Sequence, residues 1–315
     1  MAQLSAAGRM QPVVAPGAAP EMAPGSAEDR PLAGIGFVIA AVFALSLQDA
    51  LAKLLGEQFA VVQILAFRGL SGVVLTVVAV LAGAAALRVP RGLRLFVGLR
   101  ILFAGAAAVA LYTGLRTVPL AEATVLLLTA PLFITGLAAL LLRERVGWRR
   151  WLAVLAGFVG SGIVLWPDDM KIELGALIIL GGAVCWSLAA ILTRRIGSGV
   201  TVWTQLFYLN LAFLLCCGAA LPWSWQTPGL ESTALLLLLG AIGFLSQFAI
   251  IHGYRCASPA AVAPFEYTAL LWAALLGYLV WGEIPASNVW GGALLIAGAG
   301  LYVAHREARQ GRRRP

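Results

Sequence analysis

The sequence predicts an all-α membrane protein, with ten transmembrane helices arranged as two inverted five-helix repeats. Three observations predict it. Hydrophobic residues make up 61% of the chain and charged residues only 11%, with a mean hydropathy of +0.92. A soluble domain is about half apolar and about a quarter charged. Apolar runs of roughly 20 residues, the length needed to cross hydrocarbon, recur along the chain between short turns. One long stretch is also used twice, at an offset of 139 residues.

The duplicated stretch runs from Ala121 to Pro167 and again from Ala260 to Ala304. The offset pairs Ala121 with Ala260, Thr129 with Thr268, Leu132 with Leu271, Glu144 with Glu283, Trp151 with Trp290 and Val164 with Val303. Leu and Ala coincide easily in apolar helices, so the Thr, Glu and Trp matches carry the argument for an internal repeat. The first helices repeat as well. Ser46–Gly56 aligns with Ser187–Gly197, which places Lys53 opposite Arg194.

Residues 1–32, rich in Ala, Pro and Gly with mixed charge, read as a disordered cytoplasmic tail. They lack the apolar core and cleavage site of a signal peptide. The first repeat, 33–166, holds spans at 33–55, 61–83, 97–115, 119–142 and 150–166. The second, 174–305, holds spans at 174–193, 201–221, 233–253, 259–281 and 287–305. A basic cytoplasmic tail, 306–315, follows. The loops leave no room for a soluble domain, so function is expected inside the bilayer.

Basic residues set the orientation. One set of loops carries Arg88, Arg91, Arg94, Arg143, Arg145, Arg149, Arg150, Arg194, Arg195 and Arg255. The other set carries only Arg116 and Lys171, together with Asp168, Asp169, Glu173 and Glu231. Both termini are therefore expected in the cytoplasm, with the chain multi-pass in a bacterial inner membrane. Five spans per repeat is an odd number, so the second repeat inserts upside down. Inverted repeats of this kind are the architecture of secondary transporters, where two halves rock around a midplane site.

The net charge of +8 reflects these turns rather than a nucleic-acid surface, because no aromatic-interleaved basic face accompanies it. Cys185, Cys216, Cys217 and Cys256 have no metal-ligand spacing and read as thiols in apolar runs, with no disulfide framework. No phosphate-binding loop, paired metal motif or Ser-His-Asp arrangement is present. Neither cofactor nor metal is expected, and ATP is not the direct energy source.

The blocks Pro131-Leu132-Phe133, Glu144-Arg145, Trp151 and Gly157/Gly160/Gly162, with their second-half counterparts, resemble the EamA-type branch of the drug/metabolite transporter superfamily. The resemblance covers about residues 33–305. It implies ten spans, cytoplasmic termini, and a central cavity lined by the first, third and fourth helices of each half. It also implies transport of small metabolites without ATP. Asp49-Ala50-Leu51-Ala52-Lys53 and Ala263-Pro264-Phe265-Glu266-Tyr267 look like a bacterial subgroup that includes S-adenosylmethionine and riboflavin uptake proteins. Other members export amino acids or related compounds. Where the family has Gly before the first-half glutamate, this chain has Arg143; the second half keeps Gly282-Glu283. Both glutamates are expected at the membrane edge, outside the site.

Ionisable groups within spans are functional candidates because hydrocarbon penalises them. Asp49 and Lys53 stand four residues apart on one helix face, an order that favours a local ion pair. Arg68 reaches a similar depth in the second span. These three form either a charged patch at the outer entrance or a self-neutralising structural lock. Glu266 follows helix-loosening Pro264 and precedes Tyr267 and Thr268. An acid at that depth is a candidate for carrying a proton or holding an amine or amide of the substrate. Thr129 beside Pro131 is the first-half counterpart, with Glu122 displaced toward the outer edge, where a structural role is equally expected. Trp186, Tyr267 and Trp272 are the aromatics placed to stack on a flat ring or a cation.

These features point to a secondary carrier of a small polar or zwitterionic metabolite, with import of a molecule such as riboflavin or S-adenosylmethionine as the leading expectation. Export of an amino-acid-derived compound is the alternative. Partners are the substrate, the lipid bilayer and a candidate coupling proton; the oligomeric state, a homodimer among the options, is left open. A membrane-embedded enzyme would need a catalytic constellation that the loops lack. A scaffold would not need an acid beside a helix-breaking proline.

Overall fold

The computed structural model describes residues 31–82, 87–141, 148–165, 173–256 and 262–311. Among these the chain is helical, with no strand. Its helices are α1 (Pro31–Gly56), α2 (Val61–Leu81), α3 (Arg94–Gly114), α4 (Leu120–Leu127), α5 (Ala130–Leu141), α6 (Trp148–Leu165) and α7 (Leu174–Ile196). They continue as α8 (Val202–Ala212), α9 (Gly218–Ser224), α10 (Leu230–Cys256), α11 (Ala269–Trp281) and α12 (Ser287–Gly311). Seven helical segments among the described residues are long and apolar enough to cross a membrane, and two apolar ones, Trp151–Leu165 and Phe265–Trp281, are shorter. Residues 287–305, expected as a span, fall within α12, whose helix runs on through Gly311 into the stretch read as a tail. Glu144, Arg143, Arg145, Asp168, Asp169, Lys171 and the first 30 residues lie outside the described residues.

Three of the expected continuous spans are interrupted. Within the expected span 119–142 the described residues form two helices, α4 and α5, that meet at Thr129 just before Pro131. Proline has no N–H to give the helix and crowds the preceding turn. The ninth span opens as a 3₁₀ stretch, Ala263–Thr268, with proline in its first turn. The seventh carries a π turn, Phe213–Cys217, between α8 and α9.

The bundle is held by three long seams: α1 along α10, α3 along α7, and α6 along α12. A fourth runs between α2 and the α8–π-turn–α9 segment. The principal buried core gathers at one end. It takes Ala52 and Leu55 from the end of α1, Ile64 and Leu65 from the start of α2, Leu115 from the α3–α4 connection and Leu120 from the start of α4. Ile179 of α7, Leu239 of α10 and Val289 of α12 are also part of it. At the opposite end the buried apolar residues among those described form small groups, Val38 with Val42 and Val262, Leu132 with Ala153 and Ala299, and Val97 with Ile196 and Val200. The consolidated end is the one opposite the start of α1 and the finish of α12. It also carries Glu57, Glu122, Glu173, Glu231 and Glu283.

The α6–α12 seam depends on backbone contact. A Cβ on Gly292 would lie 2.6 Å from the Gly160 carbonyl oxygen and collide with Val164, and a Cβ on Gly160 would lie 2.9 Å from the Gly292 oxygen. Only glycine at both positions permits so close a crossing, the small-residue packing that membrane helices use in place of a hydrophobic drive. Gly292→Ala is expected to destabilise the protein by about 1–3 kcal/mol through overpacking, read as a lowered thermal midpoint in detergent. Gly162→Ala, with open space at its Cβ, should leave the midpoint nearly unchanged.

Candidate functional site

The polar residues inside the bundle fall into three groups. The first is a cluster between α1, α2 and α3. The Tyr112 hydroxyl, fully buried, accepts hydrogen bonds from Gln48 Nε2 at 2.6 Å and from Arg68 Nη1 at 3.0 Å. The Arg68 guanidinium lies 5.7 Å from the Tyr112 ring centroid and 5.6 Å from that of Phe213, within cation–π range of both. Asp49 is half-buried within electrostatic reach of Arg68. Gln48 Oε1 has no hydrogen-bond partner and rests against Gly243 of α10, where any side chain would strike it.

The second group corrects two readings. Lys53 does not pair with Asp49. Its ammonium forms an ion pair with Glu283, between α11 and α12, and donates to the Val118 carbonyl at 3.0 Å. The other carboxylate oxygen of Glu283 accepts the Leu120 amide at 2.9 Å. Glu283, expected as a bystander at the membrane edge, is therefore the partner that neutralises a buried lysine. Local geometry explains the placement. α11 ends with Gly282 in the left-handed region at φ 68°, and the Gly282 and Glu283 amides bond back to Tyr278 and Gly277 at 2.9 and 3.1 Å. This C-terminal motif turns the chain sharply and needs glycine at the turn. It presents Glu283 to the α1 end. Trp281 covers the pair, its ring centroid 5.0 Å from Lys53 Nζ, and donates to Glu57 at 2.8 Å. Beside this group lies a cavity of about 320 Å³ lined by Glu122, Glu283, Asn288, Ala273 and Pro285. Glu122 is thus on a cavity wall, within electrostatic reach of Glu283 and Lys53.

The third group sits at the broken helices. The Thr129 and Thr268 hydroxyls, paired by the repeat, donate to Leu126 and Phe265 carbonyls three residues back, each at 2.6 Å. Thr129 is fully buried. Glu266, Tyr267 and Thr268 are half-buried in the 3₁₀ stretch. The Tyr267 hydroxyl packs against the backbone of Gly300 on α12. Trp272 meets Phe43 of α1 edge-on at 5.0 Å, and its indole N–H is buried without a hydrogen-bond partner. Trp186 does not join them: it is 47% exposed on α7, a helix packed on α3, α4 and α5.

The structure therefore gathers Asp49 with Arg68 and separates Lys53 from them. Sequence reasoning missed Gln48, Tyr112 and Glu283. Gln48 and Tyr112 are neutral and carried no penalty to flag. Glu283 was visible as Gly282-Glu283, a helix-end signature whose partner lies 230 residues away. Among the described residues no three His, Cys, Asp or Glu side chains come together as metal ligands.

A bundle of apolar helices with charged clusters between them and an acid-lined opening at one end has the parts of a membrane transporter for small polar molecules. The chain belongs to the EamA-like transporter family, which residues 32–166 and 173–304 match, and it is a small-metabolite transporter. A riboflavin transporter from Vibrio cholerae is 31% identical over 199 residues, 62% of this chain and 66% of that one. A riboflavin transporter from Rhizobium johnstonii is 34% identical over 215 residues, 68% of this chain and 71% of that one. An S-adenosylmethionine uptake transporter from Rickettsia bellii is 28% identical over 284 residues, 88% of this chain and 94% of that one. A crystal structure 20% identical in sequence superposes with a TM-score of 0.60, covering 89% of this chain and 99% of that one, and shares the fold.

Tyr112 is the acceptor on which two donors converge. Tyr112→Phe leaves the Gln48 amide and one Arg68 N–H unbonded, which costs about 1–3 kcal/mol. The thermal midpoint in detergent should fall accordingly, while Tyr208→Phe, whose ring packs on Phe207, should change it little.

Proposed function

We propose that the protein is a ten-span secondary carrier that imports a small polar or zwitterionic metabolite across the bacterial inner membrane, with both termini cytoplasmic. It works by alternating access between two inverted five-helix halves. The observation that carries this reading is the family match over both halves, joined by relatives named for riboflavin and S-adenosylmethionine. The packing supports the inverted repeat. If the first and third helices of one half correspond to those of the other, α1 on α10 and α3 on α7 are the same seam seen twice. Seams α6–α12 and α2–α8 then join each helix to its own counterpart. The matching hydroxyl bonds of Thr129 and Thr268 at equivalent helix breaks follow the same relation.

The substrate groups proposed to be recognised are charged and hydrogen-bonding ones, met by Asp49 and Arg68 in one cluster and by Glu266, Tyr267, Thr268 and Trp272 at the broken ninth span. Lys53 belongs to the outer end, and Thr129 holds the equivalent break in the first half. Trp186 is kept as a candidate only for an open conformation. Glu266 is proposed to carry a coupling proton.

Purified protein in vesicles is to be tested with radiolabelled riboflavin, S-adenosylmethionine, and aromatic and sulfur amino acids, with and without an imposed proton gradient. Accumulation of one compound only under the gradient is the expected result, and Glu266→Gln should then flatten the pH dependence of uptake. Equilibration without regard to the gradient would make the protein a facilitator. Transport of amino acids alone, driven outward, would replace import by export.

A further inference from the structure

We propose that Lys53 and Glu283 form the outer gate of the transporter, a charged latch that closes the end of the bundle opposite the chain termini and must part before the acid-lined cavity opens inward to the midplane. This rests on the alternating-access reading and adds to it the residues that hold one side shut.

The latch ties together three separate pieces of chain. Lys53 lies in the last turn of α1, Val118 belongs to the α3–α4 connection and Leu120 opens α4, and Glu283 belongs to the α11–α12 connection. Every polar end is used: the ammonium takes the Glu283 carboxylate and the Val118 carbonyl, and the second carboxylate oxygen takes the Leu120 amide. The lysine side chain is 10% exposed and that of Glu283 is 22% exposed. A pair so withdrawn from water holds mainly because each charge would be stranded without the other. Gly277 leaves room for the carboxylate, since a Cβ there would stand 3.1 Å from its oxygen. Trp281 closes over the ammonium.

The core at the latched end shows the gate closed. Buried apolar residues from α1, α2, α3, α4, α7, α10 and α12 form a continuous cluster at the latched end. Among the described residues of the other end, buried apolar side chains form small groups between neighbouring helices. A molecule rocking between two states closes one end at a time, and the paired latch with the continuous core beneath it describes an outer end that is shut. The cavity of about 320 Å³ beside Glu122 and Glu283 is the vestibule outside the gate. Ala273, fully buried at the inner limit of this vestibule, is the position that opening would uncover.

The test reads accessibility and needs no substrate. The four cysteines are replaced by serine, and Ala273→Cys and Phe265→Cys are introduced separately as reporters of the latched and opposite ends. Labelling by a membrane-impermeant maleimide is followed in wild type, Lys53→Met, Glu283→Gln and Lys53→Arg. The two neutral variants should label the Ala273 reporter about fivefold or more faster and the Phe265 reporter more slowly. Lys53→Arg, which keeps the charge, should stay near wild type. Unchanged Ala273 labelling in both neutral variants overturns the latch and leaves alternating access standing. Equal acceleration in Lys53→Arg also overturns it, because the charge pair would not be what holds the end shut. Faster Ala273 labelling with unchanged Phe265 labelling keeps the latch and removes alternating access, since the ends would be uncoupled. If Lys53→Met does not fold, Glu283→Gln, the same shape without the charge, decides.

Discussion

A chain that crosses hydrocarbon has no water to satisfy its backbone, so each amide and carbonyl must find a partner within the protein. That constraint makes the described residues helical and governs where the helices break. Pro131 and the proline of the 3₁₀ stretch remove amide donors at the start of α5 and just before α11. A threonine at each break donates its hydroxyl to the carbonyl three residues back. Ser187 of α7 adds a bond at 2.9 Å to the Ala130 carbonyl beside the first break. Each interruption thus carries side-chain hydrogen bonds to the backbone carbonyls around it. Irregular backbone of this kind is tolerated where it is buried in protein or lines a cavity.

The same constraint shapes the charges. Lys53, Arg68 and Asp49 lie in α1 and α2, yet none is left to face lipid alone. Arg68 is held by a hydroxyl and two aromatic rings, and Lys53 by a carboxylate, a carbonyl and an indole. Each of these contacts crosses between helices, so the polar groups determine how helices meet as well as how they are solvated. Close helix approach elsewhere relies on small residues. The Gly160–Gly292 contact in the α6–α12 seam is one instance, and Gly243 against Gln48 in the α1–α10 seam is another. The result is a bundle whose seams include close small-residue contacts and in which Lys53 and Glu283 pair across separate segments.

The composition and the repeat were enough to establish a polytopic helical membrane protein, and the blocks around Pro131 and Glu266 were enough to point to its family. Those properties are carried by the residues themselves: hydropathy sums along the chain, and the offset of 139 residues needs only the sequence. Asp49 and Arg68 could be singled out because a charge in an apolar run is anomalous wherever its partner lies. What only the tertiary structure decided was the pairing. Lys53 sits four residues from Asp49, and local spacing favoured that ion pair. The chain instead brings it Glu283, because the left-handed turn at Gly282 directs the carboxylate back across the bundle. Gln48 and Tyr112 escaped notice because neutral side chains acquire importance only from what surrounds them. A sequence records the cost of each residue in the membrane, but which group relieves that cost depends on contacts between segments far apart in the chain.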